Sequence, residues 1–344
     1  MTSIEWTQRP CTKGETWNPV VGCSILSPGC TNCYAMRMAR RVQAMAAANG
    51  RDTPYAGTTR IVNGKPIWTG NVHAADEATL LKPLSWRAPR TVFVNSMSDL
   101  FHESVPDELI DRIFAVMALT PQHTYQVLTK RSARMRAYLT ADDGFGRWGY
   151  IERQARHLAE VPQGLTLATF GGSNLPNLWL GVSAERQREA DERIPDLLAT
   201  PAAIRFVSAE PLLGPIDFMK SWQIKDGEFR AAMPALDQII VGGESGPGAR
   251  PMHPDWARQI RDQCAAAGTA FFFKQWGAWE PVSETRGLGE WGREWMLLDE
   301  KGILDIPDER VPLDDEVAVA NVGKARAGRL LDGVEHNAFP FTKD

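Results

Sequence analysis

Gln238-Ile-Ile-Val-Gly-Gly-Glu244, the segment from Asp255 to Ala267, and Ala270-Phe-Phe-Phe-Lys-Gln275 together form the stretch that decides the fold. The outer two pieces are short continuous apolar runs, the pattern of strands buried on both faces. The middle piece repeats its apolar residues at helical spacing. Strand, helix, strand is the reading. Moving outward, similar runs recur at Thr91-Val-Phe-Val-Asn-Ser96, Thr124-Tyr-Gln-Val-Leu-Thr-Lys130, Leu178-Trp-Leu-Gly-Val-Ser183 and Ile204-Arg-Phe-Val-Ser-Ala-Glu210. Pro106 to Leu119 supplies another helical stripe, Leu109, Ile110, Ile113, Phe114 and Met117, opened by Pro106 in a first-turn position.

Buried strands alternating with amphipathic helices imply an α/β fold on a mostly parallel sheet. An open doubly wound sheet or a closed barrel fits that alternation. The strand candidates end in Asn95 and Ser96, Thr129 and Lys130, Ser183, Ser208 and Glu210, Glu244, or Lys274 and Gln275. Polar groups at the carboxyl ends of successive strands favour a parallel (β/α) barrel, complete or partial, with one shared site. Residues 1–280 are expected to form it, with an insertion at about 141–176 containing a helix near Glu152 to Glu160. Residues 281–344, in a region carrying Trp279, Trp291 and Trp295 and a helix candidate at Gly323 to Leu331, read as an appendage packed on the barrel.

The 344 residues are 43% hydrophobic, enough for a large core, and carry a net charge of -4. That balance excludes a globally basic nucleic-acid binder and leaves only local patches for a polyanion. No apolar run of about 18 residues is present to span a bilayer. The first residues lack the basic start and apolar run of a signal peptide. A cytoplasmic protein with no membrane association is expected. No Gly-x-Ser-x-Gly elbow, His-Glu-x-x-His pair or phosphate-binding loop occurs, which weakens hydrolase and nucleoside-triphosphatase readings.

Three of the five cysteines, Cys23, Cys30 and Cys33, lie in Gly22-Cys-Ser-Ile-Leu-Ser-Pro-Gly-Cys-Thr-Asn-Cys-Tyr34, while Cys11 and Cys264 stand apart. This is not the dispersed even set of a disulfide scaffold. Soft thiolates suit zinc or an iron-sulfur cluster. Pro28 and Gly29 shape a turn that lets the chain fold back, and Tyr34 places an aromatic beside the cysteines. The spacing leaves three readings open: a three-cysteine 4Fe-4S cluster with a vacant iron, structural zinc completed by a distant ligand, or ordinary buried cysteines.

The chain resembles a phage and bacterial family of unknown function that is radical-SAM-like. The resemblance rests on Ile4-Glu-Trp-Thr7, Trp17-Asn-Pro-Val-Val-Gly-Cys23, Ser27-Pro-Gly-Cys-Thr-Asn-Cys-Tyr-Ala35, Phe93-Val-Asn-Ser-Met-Ser-Asp-Leu-Phe-His-Glu103, Gln126-Val-Leu-Thr-Lys-Arg131, Trp179-Leu-Gly-Val-Ser183, Ala209-Glu-Pro-Leu-Leu-Gly-Pro-Ile-Asp217, Val241-Gly-Gly-Glu-Ser-Gly-Pro-Gly-Ala-Arg-Pro251 and Phe272-Phe-Lys-Gln-Trp-Gly277. It extends to the tail and covers nearly the whole chain. The resemblance implies that Cys23, Cys30 and Cys33 hold a 4Fe-4S cluster whose fourth iron binds S-adenosylmethionine. One departure stands out: six residues separate Cys23 from Cys30, where the commonest radical SAM spacing has three.

Other candidates surround this centre. Gly242, Gly243 and Glu244 end a strand with room for close backbone approach of a ligand and a carboxylate acceptor, and the resemblance implies that they line the cofactor. Tyr34, Ser96, Ser98 and Ser183 join them as cofactor-binding candidates. Asp99, Lys130, Glu210 and Lys274 are the catalytic candidates, the last two as a pair at the barrel mouth. Lys130, Arg131, Arg134 and Arg136, with Arg37, Arg40 and Arg41, form basic clusters suited either to phosphate or to a solvated face. The leading expectation is a radical enzyme that generates a 5'-deoxyadenosyl radical and acts on an unidentified substrate, with DNA, RNA or a nucleotide preferred. A flavodoxin or ferredoxin would be the electron donor. The competing expectation is a non-enzymatic zinc- or cluster-stabilised protein that binds nucleic acid or another protein.

Overall fold

The computed structural model describes residues 4–141, 146–159, 174–223, 228–282, 294–302, 304–305 and 316–340. Seven strands, β1 (Lys13–Trp17), β2 (Arg90–Val94), β3 (Thr124–Thr129), β4 (Leu178–Ser183), β5 (Ile204–Ala209), β6 (Gln238–Gly242) and β7 (Ala270–Gln275), form one sheet whose spatial order is the chain order. An order without reversal has no switch point of the doubly wound kind. It is the winding of a parallel (β/α) barrel. β1 and β7 end the order, each with one neighbour, so the topology is consistent with a partial barrel. All six apolar runs read as strands are strands. β1 escapes that criterion because Lys-Gly-Glu-Thr-Trp is a mostly polar edge strand with two of its five residues buried.

The chain divides into two compact units: Met1–Leu26, Cys33–Val182 and Arg193–Arg205 form the first, and Ser27–Asn32, Ser183–Glu192 and Phe206–Asp344 the second. In the first unit, β1 pairs in parallel with β2 from Lys13 opposite Arg90 to Trp17 opposite Val94, and β3 follows with Thr91 opposite Thr124. α1 (Tyr34–Ala48) follows the cysteines, and α2 (Asp107–Ala118) follows β2. Pro106 is the residue before α2 rather than within its first turn, where Asp107 and Glu108 face the positive helix end. α3 (Ser132–Leu139) follows β3. α4 (Arg147–Ala159) begins earlier than the helix expected in the insertion. It packs Ala155, Leu158 and Ala159 with Ala115 and Leu119, while Arg147 pairs with Asp107 and Asp111 of α2. This described part of the insertion therefore covers the outside of α2. Its residues 142–145 and 160–173 lie outside the described ones.

In the second unit, β6 pairs with β5 and β7, and every residue of β6 is buried. Between Val241 opposite Phe273 and Gly242 opposite Gln275, the register slips and leaves Lys274 as the extra residue of a bulge. Bulges re-aim side chains. α5 (Gln187–Ala199) follows β4 and spans both units, whereas α6 (Pro254–Ala267) lies wholly in the second. The His253 ring caps α6 through the Asp255 N–H, and Gly268 ends it in the left-handed region at φ 72°. The second unit also holds a four-stranded antiparallel sheet of Trp279–Pro281, Val317–Asn321, Trp295–Leu298 and Leu304–Asp305. Trp279 is buried and donates its indole N–H to the Ala249 carbonyl, so it belongs to the packing of this unit. Trp291 lies outside the described residues. The helix expected at Gly323 to Leu331 is only Lys324–Ala327, ended by Gly328. Farther on, His336 and Asn337 pair with Phe273 and Phe272, covering part of the β7 edge.

Gly243 follows β6 against the backbone of Trp276, whose carbonyl oxygen a Cβ would strike. Because the obstacle is main chain, a side chain cannot swing away to relieve it. Gly243→Ala should lower unfolding stability by about 1–3 kcal/mol, the usual cost of overpacking, measured by urea denaturation of the full chain.

Candidate functional site

Within the first unit, the loops after β1, β2 and β3 bring Cys23, Asp99 and Arg131 together. Asp99 is buried, and its carboxylate accepts four hydrogen bonds: from the Phe101 N–H (3.0 Å), Thr129 Oγ1 (2.7 Å), the Lys130 N–H (3.0 Å) and Arg131 Nη1 (3.1 Å). Such a carboxylate is an anchor for its donors. Arg131, itself buried, donates Nε to both Glu103 oxygens, Nη2 to Ser24 Oγ (2.6 Å) and Nη1 towards Cys23 Sγ at 3.9 Å. Burial works against its charge, yet Asp99, Cys23 and Glu103 outweigh that penalty and raise its pKa. A permanent guanidinium therefore stands beside the Cys23 sulfur.

His102 completes the network. Its Nδ1 accepts from the Ser104 N–H (3.2 Å), which leaves Nε2–H to donate to Ser24 Oγ (3.0 Å). Burial, then the charge of Arg131, lowers its pKa and favours the neutral ring. Two of the serines expected as cofactor-binding candidates donate to the segment after β1: Ser96 Oγ to the Asn18 side chain at Oδ1 (3.1 Å) and Ser98 Oγ to the Val20 carbonyl (2.7 Å). Half-exposed Tyr34 donates its hydroxyl to the Ser96 carbonyl at 2.6 Å. Cys23 and Cys33 pack against one apolar cluster of Ala35, Met36, Ala39, Trp68 and Met97.

The second unit contains Cys30, in a short 3-10 turn (Pro28–Cys30), and holds its loop from two places. Ser27 Oγ donates to buried Glu185 Oε1 at 2.7 Å. Glu244 Oε2 accepts from Asn32 Nδ2, Arg250 N and Arg250 Nε, each at 2.9 Å, and Oε1 accepts from Arg250 Nη2 at 2.6 Å. Arg250 Nη2 also donates to the Pro28 carbonyl at 2.9 Å. Glu244 and Arg250 thus clamp both ends of the Cys30 turn. Burial alone would raise the Glu244 pKa, but these hydrogen bonds and the Arg250 charge outweigh it and hold the carboxyl below its ordinary value.

Glu210 and Lys274 form the pair expected from the sequence, with Nζ 2.6 Å from Oε1 and both side chains mostly buried. They sit on β5's end and β7, with β6 between them. Gly242 leaves room for that span, since a Cβ there would lie 3.3 Å from Glu210 Cδ, tighter than ordinary contact. Ser183, also buried, ends β4 in the same unit.

Lys130 reaches Asp99 through its backbone N–H. The arginines of the basic run after β3 pair within the fold: Arg131 binds Asp99 and Glu103, Arg134 binds Asp107 and the carbonyls of His102 and Val105, and Arg136 binds Asp196. Glu185, Asn32 and Arg250 were not singled out as functional residues from the sequence, although each lies within or beside a segment carrying the resemblance. None of the five cysteines is in a disulfide. Among the described residues, no three His, Cys, Asp or Glu side chains stand as a preformed metal-binding group. The three cysteines, close together in sequence, nevertheless have the donor chemistry for a sulfur-ligated metal, whose ligands commonly assemble only on binding.

Loss of the Glu244 clamp has a defined signature. Glu244→Gln should destabilise the protein by about 2–3 kcal/mol, below the loss for a fully buried pair because Arg250 retains 32% side-chain exposure. A depressed folded-state pKa stabilises fully above the ordinary value of 4.5 and loses that contribution as pH falls through the folded value. Urea denaturation below pH 4.5 should accordingly show a shallower acid decline for Glu244→Gln than for wild type.

Comparison with curated proteins and with solved structures gives no match. The model of a family described as a protein of unknown function, DUF5131, matches residues 1–340, and the chain belongs to that family.

Proposed function

We propose that the chain is a radical S-adenosylmethionine-type iron-sulfur enzyme in which Cys23, Cys30 and Cys33 ligate three irons of a 4Fe-4S cluster. One observation carries the reading: each unit commits an arginine–carboxylate pair to its own part of the cysteine segment, Asp99–Arg131 beside Cys23 and Glu244–Arg250 on the Cys30 turn. When bound, the cluster with S-adenosylmethionine on its fourth iron would supply one-electron cleavage of the cofactor into methionine and a 5'-deoxyadenosyl radical that would take a hydrogen atom from the substrate.

The protein's own groups bind and position. Arg131 offsets negative charge on the Cys23 sulfur, and Asp99 and Glu103 hold its guanidinium. Glu244, Arg250 and Asn32 keep the Cys30 turn in place. Glu210 and Lys274, on strand ends, offer a paired carboxylate and ammonium to a polar ligand. Our substrate proposal is a nucleic acid or nucleotide, resting on the phage setting of the resembling family. The paired arginines after β3 lend it no support.

A second reading, a zinc- or cluster-stabilised binding protein, is favoured by the internal use of the Asp99 and Glu244 oxygens. Anaerobic iron and sulfide analysis with electron paramagnetic resonance of the reduced protein separates the two. A 4Fe-4S signal that shifts on adding S-adenosylmethionine is expected; zinc, or a signal indifferent to the cofactor, would establish the second reading. Cys30→Ser should abolish the cluster. Cys264→Ser should retain it, because Cys264 lies within α6 with its thiol pKa pushed up to about 12 by burial.

A further inference from the structure

The outward face of α1 carries apolar residues that the fold leaves exposed. Nine large hydrophobic residues are exposed among the described residues, and five of them fall in the cysteine segment and the helix that follows it: Ile25, Leu26, Tyr34, Met38 and Met45. α1 buries only Ala35, Met36 and Ala39. Tyr34, Met38, Arg41 and Met45 recur at i, i+4, i+7 and i+11 and make one stripe about 16 Å long on the opposite side. Tyr34 is 50%, Met38 43% and Met45 56% exposed. An apolar stripe rimmed by charge is the makeup of a protein-docking surface, and methionine adapts to varied partners.

The charge on this face selects the partner. α1 contains Arg37, Arg40 and Arg41 and no acidic residue, giving +3 on a chain whose net charge is -4. Two copies of the face would repel each other, so a second copy of this chain is disfavoured. The apolar centre, with no lysine on the helix, fits a protein better than a nucleic-acid backbone. The stripe also begins one residue after Cys33, which is the N-cap of α1.

We infer that α1 is the docking surface for an acidic one-electron carrier protein, such as a ferredoxin, which reduces the centre held by the cysteines. The inference rests on the proposed cluster and adds the site of electron entry. One electron leaves the reduced ferredoxin, which is oxidised by one electron, and enters the cluster, which is reduced from the +2 to the +1 state. No bond is formed or broken at this step. Carboxylates on the carrier would meet the arginines, and the Met38–Met45 stripe would be covered on docking.

The test uses the full chain and a purified acidic ferredoxin in biolayer interferometry, at low and high salt, alongside anaerobic reduction of the cluster-loaded protein. Arg37→Glu with Arg41→Glu, and separately Met38→Ser with Met45→Ser, should each weaken ferredoxin binding at least tenfold. The arginine pair should also flatten the salt dependence. Both double variants should slow reduction by ferredoxin while reduction by dithionite stays unchanged. Wild-type binding that is absent, or that survives both double variants, overturns the inference. So does a wild-type dimer abolished by the same substitutions, or single-stranded DNA that competes for the same face. Binding needs no cluster, so α1-dependent ferredoxin binding by a protein without iron would retain the docking surface and refute the cluster reading instead.

Discussion

The neutralisation of buried carboxylates by arginines is the constraint on which the local architecture depends. Asp99 and Glu244 are almost fully removed from solvent, and an uncompensated charge in either position would cost several kcal/mol. Arg131 and Arg250 resolve that cost with directed hydrogen bonds, and each guanidinium has donors left over. Those remaining donors reach Ser24 and the Cys23 sulfur in one unit and the Pro28 carbonyl in the other. Charge compensation and placement of the cysteine segment are therefore one set of interactions.

The sheet makes these encounters possible. Its strands follow one another in space as they do along the chain, so the loops that leave their carboxyl ends recur on the same edge. Cys23, Asp99 and Arg131 belong to loops after three successive strands. In the second unit the bulge at Lys274 and the missing side chain at Gly242 accompany a separate contact, in which a β7 cation meets the carboxylate after β5 across β6. Edge protection, the indole hydrogen bonds and the antiparallel sheet near the C-terminus keep this arrangement packed without entering it.

Much of the candidate site was visible as residue type and position, but less of it as role. Glu210 and Lys274 were legible as a pair because polar residues ending buried strands need partners. Glu244 was legible as a strand-end carboxylate, yet its work on the Cys30 turn depends on Asn32 and Arg250, and Asn32 is far away in sequence. Arg131, Arg134 and Arg136 looked like a basic surface because linear spacing does not register the carboxylates that α2, α5 and the loop after β2 bring to them. Ser96 and Ser98 were placed correctly at a strand end, but the carbonyl and amide oxygens that occupy their hydroxyl protons come from the segment after β1.

Sequence by itself determined the α/β class, six of the seven sheet strands, and the concentration of three thiols in one short segment. Burial period and side-chain chemistry are local properties and can be read from neighbours along the chain. Only the tertiary structure decided that the sheet winds in strict order, that the strand-end carboxylates clamp loops, and that α1 turns an arginine–methionine face outward. Each of those outcomes depends on which distant groups meet and which residues water still reaches, and linear order does not encode either one directly.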